Sequence, residues 1–351
     1  MAKAKKRLKV GLIGTGGIAR AVHLPGWQSC ERADVVACWD IDVARAEQAA
    51  ADFGIPRVCR NLRELLALRE IDAVDVCTPN GNHKPSTLAA LKAGKHVYCE
   101  KPIARNGREG AAMVAAARKA RRKLMIGLHN RFRGEVQCIK ALADAGRLGN
   151  IYYARSLSIR RRGVPSWGVF GQKKLQGGGP LIDIGVHATD MAWYLMGKPR
   201  PVSVSGKFYE TIGKTPGHVG AFGAWDWKTY DVEDFAVALV RFEGDRTMMI
   251  ESAFCVNLPE NKFSAEIVGD RGGATVSPLK VFVEEEGYLM NCEPQFVKDR
   301  VQPHAAGLHA FADAVLDGKP VPIPGEEALT IQKIIDALYK SSRLGREVKI
   351  N

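Results

Sequence analysis

The short apolar run Leu8-Lys9-Val10-Gly11-Leu12-Ile13, bounded by glycine, predicts a buried strand. The same pattern returns in Val35-Val36-Ala37-Cys38-Trp39, in Asp72-Ala73-Val74-Asp75-Val76-Cys77 and in His96-Val97-Tyr98-Cys99. Helical stretches such as His83 to Ala93 lie between these runs. Alternation at this spacing predicts right-handed βαβ units on a parallel sheet. After Leu124-Met125-Ile126-Gly127-Leu128 the rhythm stops. A connecting helix is expected over about 132–145 and another around Asp183 and His187, followed by strand-like runs at 234–242, 247–256 and 263–268 and by two late helices near 304–317 and 326–342. Strands that follow one another without helices predict an antiparallel sheet with helices on one face. The expected class is α/β, with a doubly wound first domain over 1–128 and an α+β second domain over 129–351 whose sheet is mostly antiparallel.

Composition narrows the function classes. The 351 residues, 46% apolar and 25% charged, suffice for two globular domains. No stretch approaches the roughly eighteen apolar residues of a membrane span. The basic start, Lys3, Lys5, Lys6 and Arg7, runs straight into the first strand with no apolar signal region, so a cytoplasmic protein with no membrane partner is expected. The eight cysteines form no CxxC pair and sit mostly in apolar runs, which predicts reduced, buried thiols and no metal site. A net charge of +13 raises the question of nucleic acid, yet the basic runs are short and lack interleaved aromatics, helix-turn-helix spacing or a zinc finger. The expectation is therefore no nucleic-acid partner but a solvated basic surface that could also meet an acidic ligand, favoured over the nucleic-acid alternative.

Directly after the first strand comes Gly14-Thr15-Gly16-Gly17-Ile18-Ala19, a G-x-G-x-x-A turn that opens a helix. In such a turn the first glycine makes the tight bend, the second lets backbone approach a pyrophosphate, and the alanine permits close helix-strand packing. The second strand ends at Asp40, twenty-six residues after Gly14, where a carboxylate can accept hydrogen bonds from an adenosine ribose. An acid there repels a 2′-phosphate, so NAD is expected over NADP, with Arg45 as the residue that keeps NADP open.

Ligands of doubly wound sheets bind beyond the carboxyl ends of the strands. Two such ends carry polar residues, Thr78-Pro79-Asn80 and Glu100-Lys101-Pro102. Further on, the block Gly177-Gly178-Gly179-Pro180-Leu181-Ile182-Asp183-Ile184-Gly185-Val186-His187 leads into a helix closed near Gly197. On an α-helix Asp183, His187 and Asp190 would share a face. A carboxylate beside a histidine suits proton transfer; an acid favoured at a helix N-terminus with a core histidine suits the same residues.

These motifs, with His83 and Asn130-Arg131-Phe132, give the chain a resemblance to the Gfo/Idh/MocA oxidoreductase family over essentially its full length. The resemblance implies a Rossmann domain, a C-terminal open-sheet domain that commonly forms homodimers or homotetramers, a nicotinamide cofactor, and a sugar or cyclic polyol substrate. It further implies Lys101, Asp183 and His187 as the catalytic set and a cis Lys101–Pro102 bond. The expected cofactor contacts are Gly14, Thr15, Gly16, Gly17, Ile18, Asp40, Thr78, Asn80, His83, Glu100 and Lys101. In this reading His187, supported by Asp183, removes the proton of a secondary hydroxyl as hydride leaves the same carbon, and Lys101 stabilises the charge that develops on the oxygen.

Substrate contacts are expected from Asn130, Arg162 and Trp167. Aromatic faces stack on sugar rings, and the Arg160-Arg161-Arg162 run could clamp a carboxylate or hydroxyl pair, or simply protect a sheet edge. Trp225, Trp227, His304 and His309 are read as structural. Three activities share these features: an NAD-dependent sugar or polyol dehydrogenase, a glycosidase that retains its NAD and acts by transient oxidation and elimination, and a non-catalytic sugar or dinucleotide sensor. A sensor needs no proton-transfer set.

Overall fold

A computed structural model of the chain describes residues 6–295 and 301–350. Lys3 and Lys5 of the basic start lie outside the described residues. The chain forms two compact units, Met1–Phe132 with Val301–Leu329, and Arg133–Arg300 with Thr330–Asn351. The helix Pro303–Leu316 thus belongs to the first unit, although a linear reading places it in the second domain.

In the first unit five parallel strands, β1 (Leu8–Ile13), β2 (Ala33–Trp39), β3 (Ala73–Val76), β4 (His96–Cys99) and β5 (Leu124–Ile126), lie in the order β2-β1-β3-β4-β5. A single parallel bridge, Cys38↔Val58, stands beside β2 where a further strand of a six-stranded Rossmann sheet would run. The order reverses between β1 and β3, and there the chain after β1 turns through Gly14, with a φ of +90°. A Cβ at Gly14 would stand 2.9 Å from the Cys77 carbonyl oxygen, so backbone approach and positive φ both require glycine. Ala19 is fully buried in the core formed with Leu12, Leu24 and Cys38, as close helix-strand packing demands. The helix after the glycines begins as a π-helical turn, Ala19–His23, before the α-helix Leu24–Gln28.

The second unit is built on nine strands: β6 (Ile151–Ile159), β7 (Pro201–Tyr209), β8 (Phe235–Phe242), β9 (Arg246–Ala253), β10 (Lys262–Gly269), β11 (Gly272–Thr275), β12 (Lys280–Glu285), β13 (Tyr288–Cys292) and β14 (Val348–Lys349). Their order is β13-β12-β11-β10-β6-β9-β8-β7-β14, and every pair is antiparallel except β6 with β9. The mostly antiparallel open sheet is as expected. The helix Val186–Leu195 packs on β6 and β10, and Ser341 and Ser342 of the last helix bond the β7 backbone at Gly206 and Phe208.

The entry to the Val186–Leu195 helix is fixed by a buried carboxylate. Glu233 Oε2 accepts from Gly179 N at 2.9 Å and Oε1 accepts from Leu181 N at 3.2 Å and from the Tyr339 hydroxyl at 2.7 Å. Helix-start amides left unbonded would be costly in so buried a place, and an acid there is also favoured by the dipole. The glycine run is explained by what lies against it. A Cβ on Gly178 would collide with the Tyr339 hydroxyl, and one on Gly179 with the Glu233 carbonyl oxygen. Because that second obstacle is backbone, Gly179→Ala should lower stability by about 1–3 kcal/mol, as overpacking does, measured as a reduced midpoint of urea unfolding. An unchanged midpoint would show that the segment has room to shift.

Candidate active site

In the first unit the ends of β1, β2, β3 and β4 gather most of the residues expected to hold a dinucleotide. A Cβ on Gly16 or Gly17 would meet nothing within 4 Å, so the glycine turn presents open backbone, as a phosphate cradle must. Asp40, buried at the end of β2, accepts from Thr15 N at 2.7 Å, from Thr15 Oγ1 at 3.1 Å and from Asp42 N at 2.9 Å, which fixes its carboxylate at the turn. Arg45, half exposed, lies 3.1 Å from Asp42 and 3.9 Å from Asp40, so its charge is already answered by acids. The Thr78 hydroxyl is buried without a hydrogen-bond partner among the described residues, an orphan that a bound cofactor would satisfy. Ile18 is exposed beside the turn. These residues fit a dinucleotide.

His83 stands apart from the other expected contacts. It is fully buried, with Nδ1 2.7 Å from the Pro102 carbonyl and Nε2 2.9 Å from the Thr78 carbonyl. Both partners are carbonyl oxygens, which only accept, so the neutral ring that burial favours donates to one of them while its other nitrogen faces the second. Its place is to tie the Thr78 end to the Lys101-Pro102 turn. The Lys101–Pro102 peptide is cis, as the family resemblance implies.

Glu100 and Lys101 follow β4, and what holds them was not legible in any motif. His23, on the π-helical turn, sets Nδ1 2.8 Å from Asp75 Oδ2 and Nε2 3.0 Å from Glu100 Oε1, all three side chains being buried. Trp27 Nε1 donates to the same Asp75 oxygen at 2.8 Å, and Lys101 N donates to Glu100 Oε2 at 3.2 Å. Burial penalises charge on His23, yet Asp75 and the groups around it raise its pKa well above the ordinary value. Burial likewise penalises the Glu100 charge, but the hydrogen bond and charge of His23, with Lys101 and His129 behind them, bring its pKa down to about 2. An imidazolium is thus clamped between two carboxylates, and one of those carboxylates holds the lysine's backbone.

Two more histidines stand close by. His129 and His304 stack with ring centroids 3.4 Å apart, and burial, then the neighbouring His304, pushes His129 down to about 3. Burial also lowers His304, whose ring centroid is 6.4 Å from that of His23. His304 therefore belongs to the surroundings of the Glu100-Lys101 turn rather than to an unrelated helix start. Asn130, in the one-turn 3-10 helix His129–Phe132, is buried beside them in sequence. His23, Asp75 and Cys77 offer ligand atoms within 4.8 Å of one another, but the thiol's pKa is pushed up by burial and a protonated thiol is a poor ligand.

In the second unit Asp183 lies within a π-helical turn, Leu181–Gly185, and His187 in the α-helix Val186–Leu195 that continues it. The sequence reading took an uninterrupted α-helix that aligns Asp183, His187 and Asp190. The wider π turn changes the phase, and isolated π turns inside helices recur at functional sites. Asp183 is half-buried, whereas His187 and Asp190 are buried. Trp167 is 55% exposed and meets Phe170 and Phe222 edge-on at 6.3 and 5.3 Å. Arg162 bonds the carbonyls of Arg161 at 2.7 Å and Val256 at 3.1 Å, and Asn257 Oδ1 at 2.6 Å. Most of its donors are used within the protein, so it shapes the loop rather than offering a free fork.

The doubly wound sheet with an open glycine turn, an acid after the second strand, and a lysine following the fourth define a dinucleotide-binding oxidoreductase. A profile of the oxidoreductase family's NAD-binding Rossmann fold (Gfo/Idh/MocA) matches residues 8–128, and one of its C-terminal alpha/beta domain matches residues 140–350. The chain belongs to this family and is an NAD-dependent oxidoreductase. It is 36% identical over 345 residues to D-glucoside 3-dehydrogenase of Escherichia coli (strain K12), covering 98% of this chain and 97% of that one. It is 34% identical over 363 residues to D-apiose dehydrogenase of Paraburkholderia graminis, covering 98% and 90%. The aldose-aldose oxidoreductase from Caulobacter crescentus complexed with glycerol superposes with a TM-score of 0.83 at 27% identity, over 98% of this chain and 100% of that chain. No helix among the described residues is long and apolar enough to cross a membrane.

Two measurements test this site. NAD should bind about ten- to a hundred-fold more tightly than NADP in calorimetric titration, because Asp40 meets a phosphate in one and a hydroxyl in the other. Tighter NADP would shift the assignment to Arg45. His23→Gln should cost about 3–5 kcal/mol at pH 7, since it leaves buried carboxylates without their cation. That deficit should shrink on acidification. In the wild type, Glu100 with its depressed pKa stabilises the fold above the usual carboxylate range and loses this as pH falls towards about 2. In the variant the uncompensated, buried Glu100 takes up a proton earlier, which relieves it. Unfolding curves whose difference stays constant from pH 7 to 4 would refute the clamp.

Proposed function

We propose that the protein oxidises a secondary hydroxyl of a sugar, glycoside or cyclic polyol, in a reversible reaction, with Lys101, Asp183 and His187 as the catalytic groups. The observation that carries the reading is the strength with which the fold holds these groups, since a protein that only sensed a dinucleotide would need neither the clamped Glu100-Lys101 turn nor a glutamate-capped Asp183-His187 helix. Its relatives by name, a glucoside, an apiose and an inositol dehydrogenase, support the substrate class.

Bound NAD supplies the hydride acceptor. Backbone at Gly14 to Gly17 holds the pyrophosphate, Asp40 takes the adenosine ribose, and Thr78, Asn80 and Glu100 line the path towards the nicotinamide. His187 removes the proton of the reacting hydroxyl, and Asp183 supports the imidazolium that results. The Lys101 ammonium donates to the same oxygen as negative charge grows on it. His83 acts through the backbone it ties together and is a positioning residue. Trp167 gives the sugar ring an apolar face.

The reading includes a closed homodimer or homotetramer. Val268, Phe282 and Leu289 share one face of β10, β12 and β13 in the open sheet and are exposed, and an apolar patch of this kind is ordinarily covered by a second copy. Light scattering at micromolar concentration should give at least twice the chain mass of 38.3 kDa.

His187→Ala should lower turnover about 10²–10⁴-fold while leaving NAD affinity nearly unchanged, and Lys101→Ala should lose a comparable factor. The double variant should fall short of the product of the two losses, because the groups act on one hydroxyl. Activity is read with free NAD and a panel of glucosides, inositols and anhydrosugars, following both NADH and released aglycone. Aglycone without net NADH would point to the glycosidase that retains its NAD, and near wild-type turnover by His187→Ala would remove the proposed base.

A further inference from the structure

The second unit contains a cleft of about 430 Å³ whose walls include Arg160, Arg162, Lys262 and Asn261 and no carboxylate. Its size is that of a small-ligand site. It opens where β6 ends and β10 begins, at the pair Ile159↔Lys262, and Ile184, the neighbour of Asp183, forms part of its wall. The cleft therefore adjoins the helix start that carries the proposed proton-transfer pair.

Its three cations differ in what already answers them. Lys262 is exposed and lies 3.4 Å from Glu260, and Arg162 is bonded to the loop carbonyls and Asn257. Arg160 is half-buried, with its guanidinium 5.5 Å from the Phe222 ring centroid and 5.7 Å from that of Phe254. Its hydrogen bond to Gly163 O is a long 3.3 Å, and it has five donors to satisfy. Burial lowers its pKa, with only Asp183 acting against that. A guanidinium withdrawn from water and set in the wall of a cleft without acids is arranged to receive an anion. Asn261 accepts from Arg161 N at 2.7 Å through Oδ1, which turns its amide group into a further donor at the rim.

We infer that this cleft binds an anionic substituent of the sugar, a carboxylate or a phosphate ester, with Arg160 as the residue that grips it and Phe222 beside the ring. The inference rests on the dehydrogenase reading for the hydroxyl that reacts, and it names Arg160 rather than Arg162 as the specificity-determining arginine. It also gives the chain's net charge of +13 a local use.

The test compares three ligands on the NAD-loaded protein by calorimetry: a methyl glucoside, the matching methyl glucosiduronate and glucose 6-phosphate. At least one anionic ligand should bind about tenfold or more tightly than the neutral one, and the tighter of the two identifies the group. Arg160→Met should cut that preference about tenfold, and Arg160→Lys, which keeps charge without the fork, should retain part of it. The lysine variant also serves if the methionine variant does not fold. Equal affinity for all three ligands, or an Arg160→Met variant whose preference is unchanged, overturns the inference. Because binding is read without turnover, the two readings fail separately. Anion preference with no NADH from any ligand sinks the dehydrogenase, whereas NADH formed from neutral and anionic sugars with the same kcat/KM sinks the anion site alone.

Discussion

A polar group taken out of water has to be answered, and two buried glutamates, Glu100 and Glu233, organise the segments proposed to carry the chemistry on that account. Glu100 is held ionised by the imidazolium of His23, itself shared with Asp75, and the carboxylate passes this constraint to the backbone of Lys101. Glu233 does the corresponding work in the second unit, where it gathers the first amides of the segment carrying Asp183 and His187. Neither glutamate needs to touch substrate to matter. Each fixes an element that carries part of the proposed catalytic set, and precise placement of such groups is what catalysis by positioning requires.

The cofactor end is governed by the opposite requirement, that backbone be left uncovered. Gly14 must bend against the Cys77 carbonyl, while Gly16 and Gly17 face open space. Asp40 closes the turn by bonding Thr15, so the carboxylate proposed to take the ribose also stiffens the loop proposed to hold the phosphates. The unpartnered Thr78 hydroxyl marks the same path at the end of β3.

Much of this was legible in the sequence, and the reasons differ by element. Parallel strands such as β1 and β3 are mostly apolar because both faces are covered, and the glycine turn betrays itself by composition. The reading of the second domain's sheet as mostly antiparallel also held, yet β7, β11, β12, β13 and β14 were not expected: β7 carries Pro201 and Gly206, β11 and β14 are short, and β12 and β13 are largely exposed. Asp75 was the overlooked signal. An acid in the middle of a buried strand implies a buried partner somewhere in the chain, but nothing in local pattern says that the partner is His23, fifty-two residues earlier.

The sequence by itself determined the class of fold, the glycine turn, the acid that ends the second strand, and the pair of motifs at Lys101 and Asp183-His187, since each depends on residues close together in the chain. Tertiary structure decided which side chains those motifs lean on. It inserted a π turn at Asp183 where helical spacing predicts a regular α-helix, set His83 between two backbone carbonyls, committed Arg162 to its loop, and set Arg160 in the wall of a cleft. The physical reason is the same in each case: periodicity reports the face on which a residue sits, whereas hydrogen-bond partners and burial depend on what the rest of the chain brings to that face.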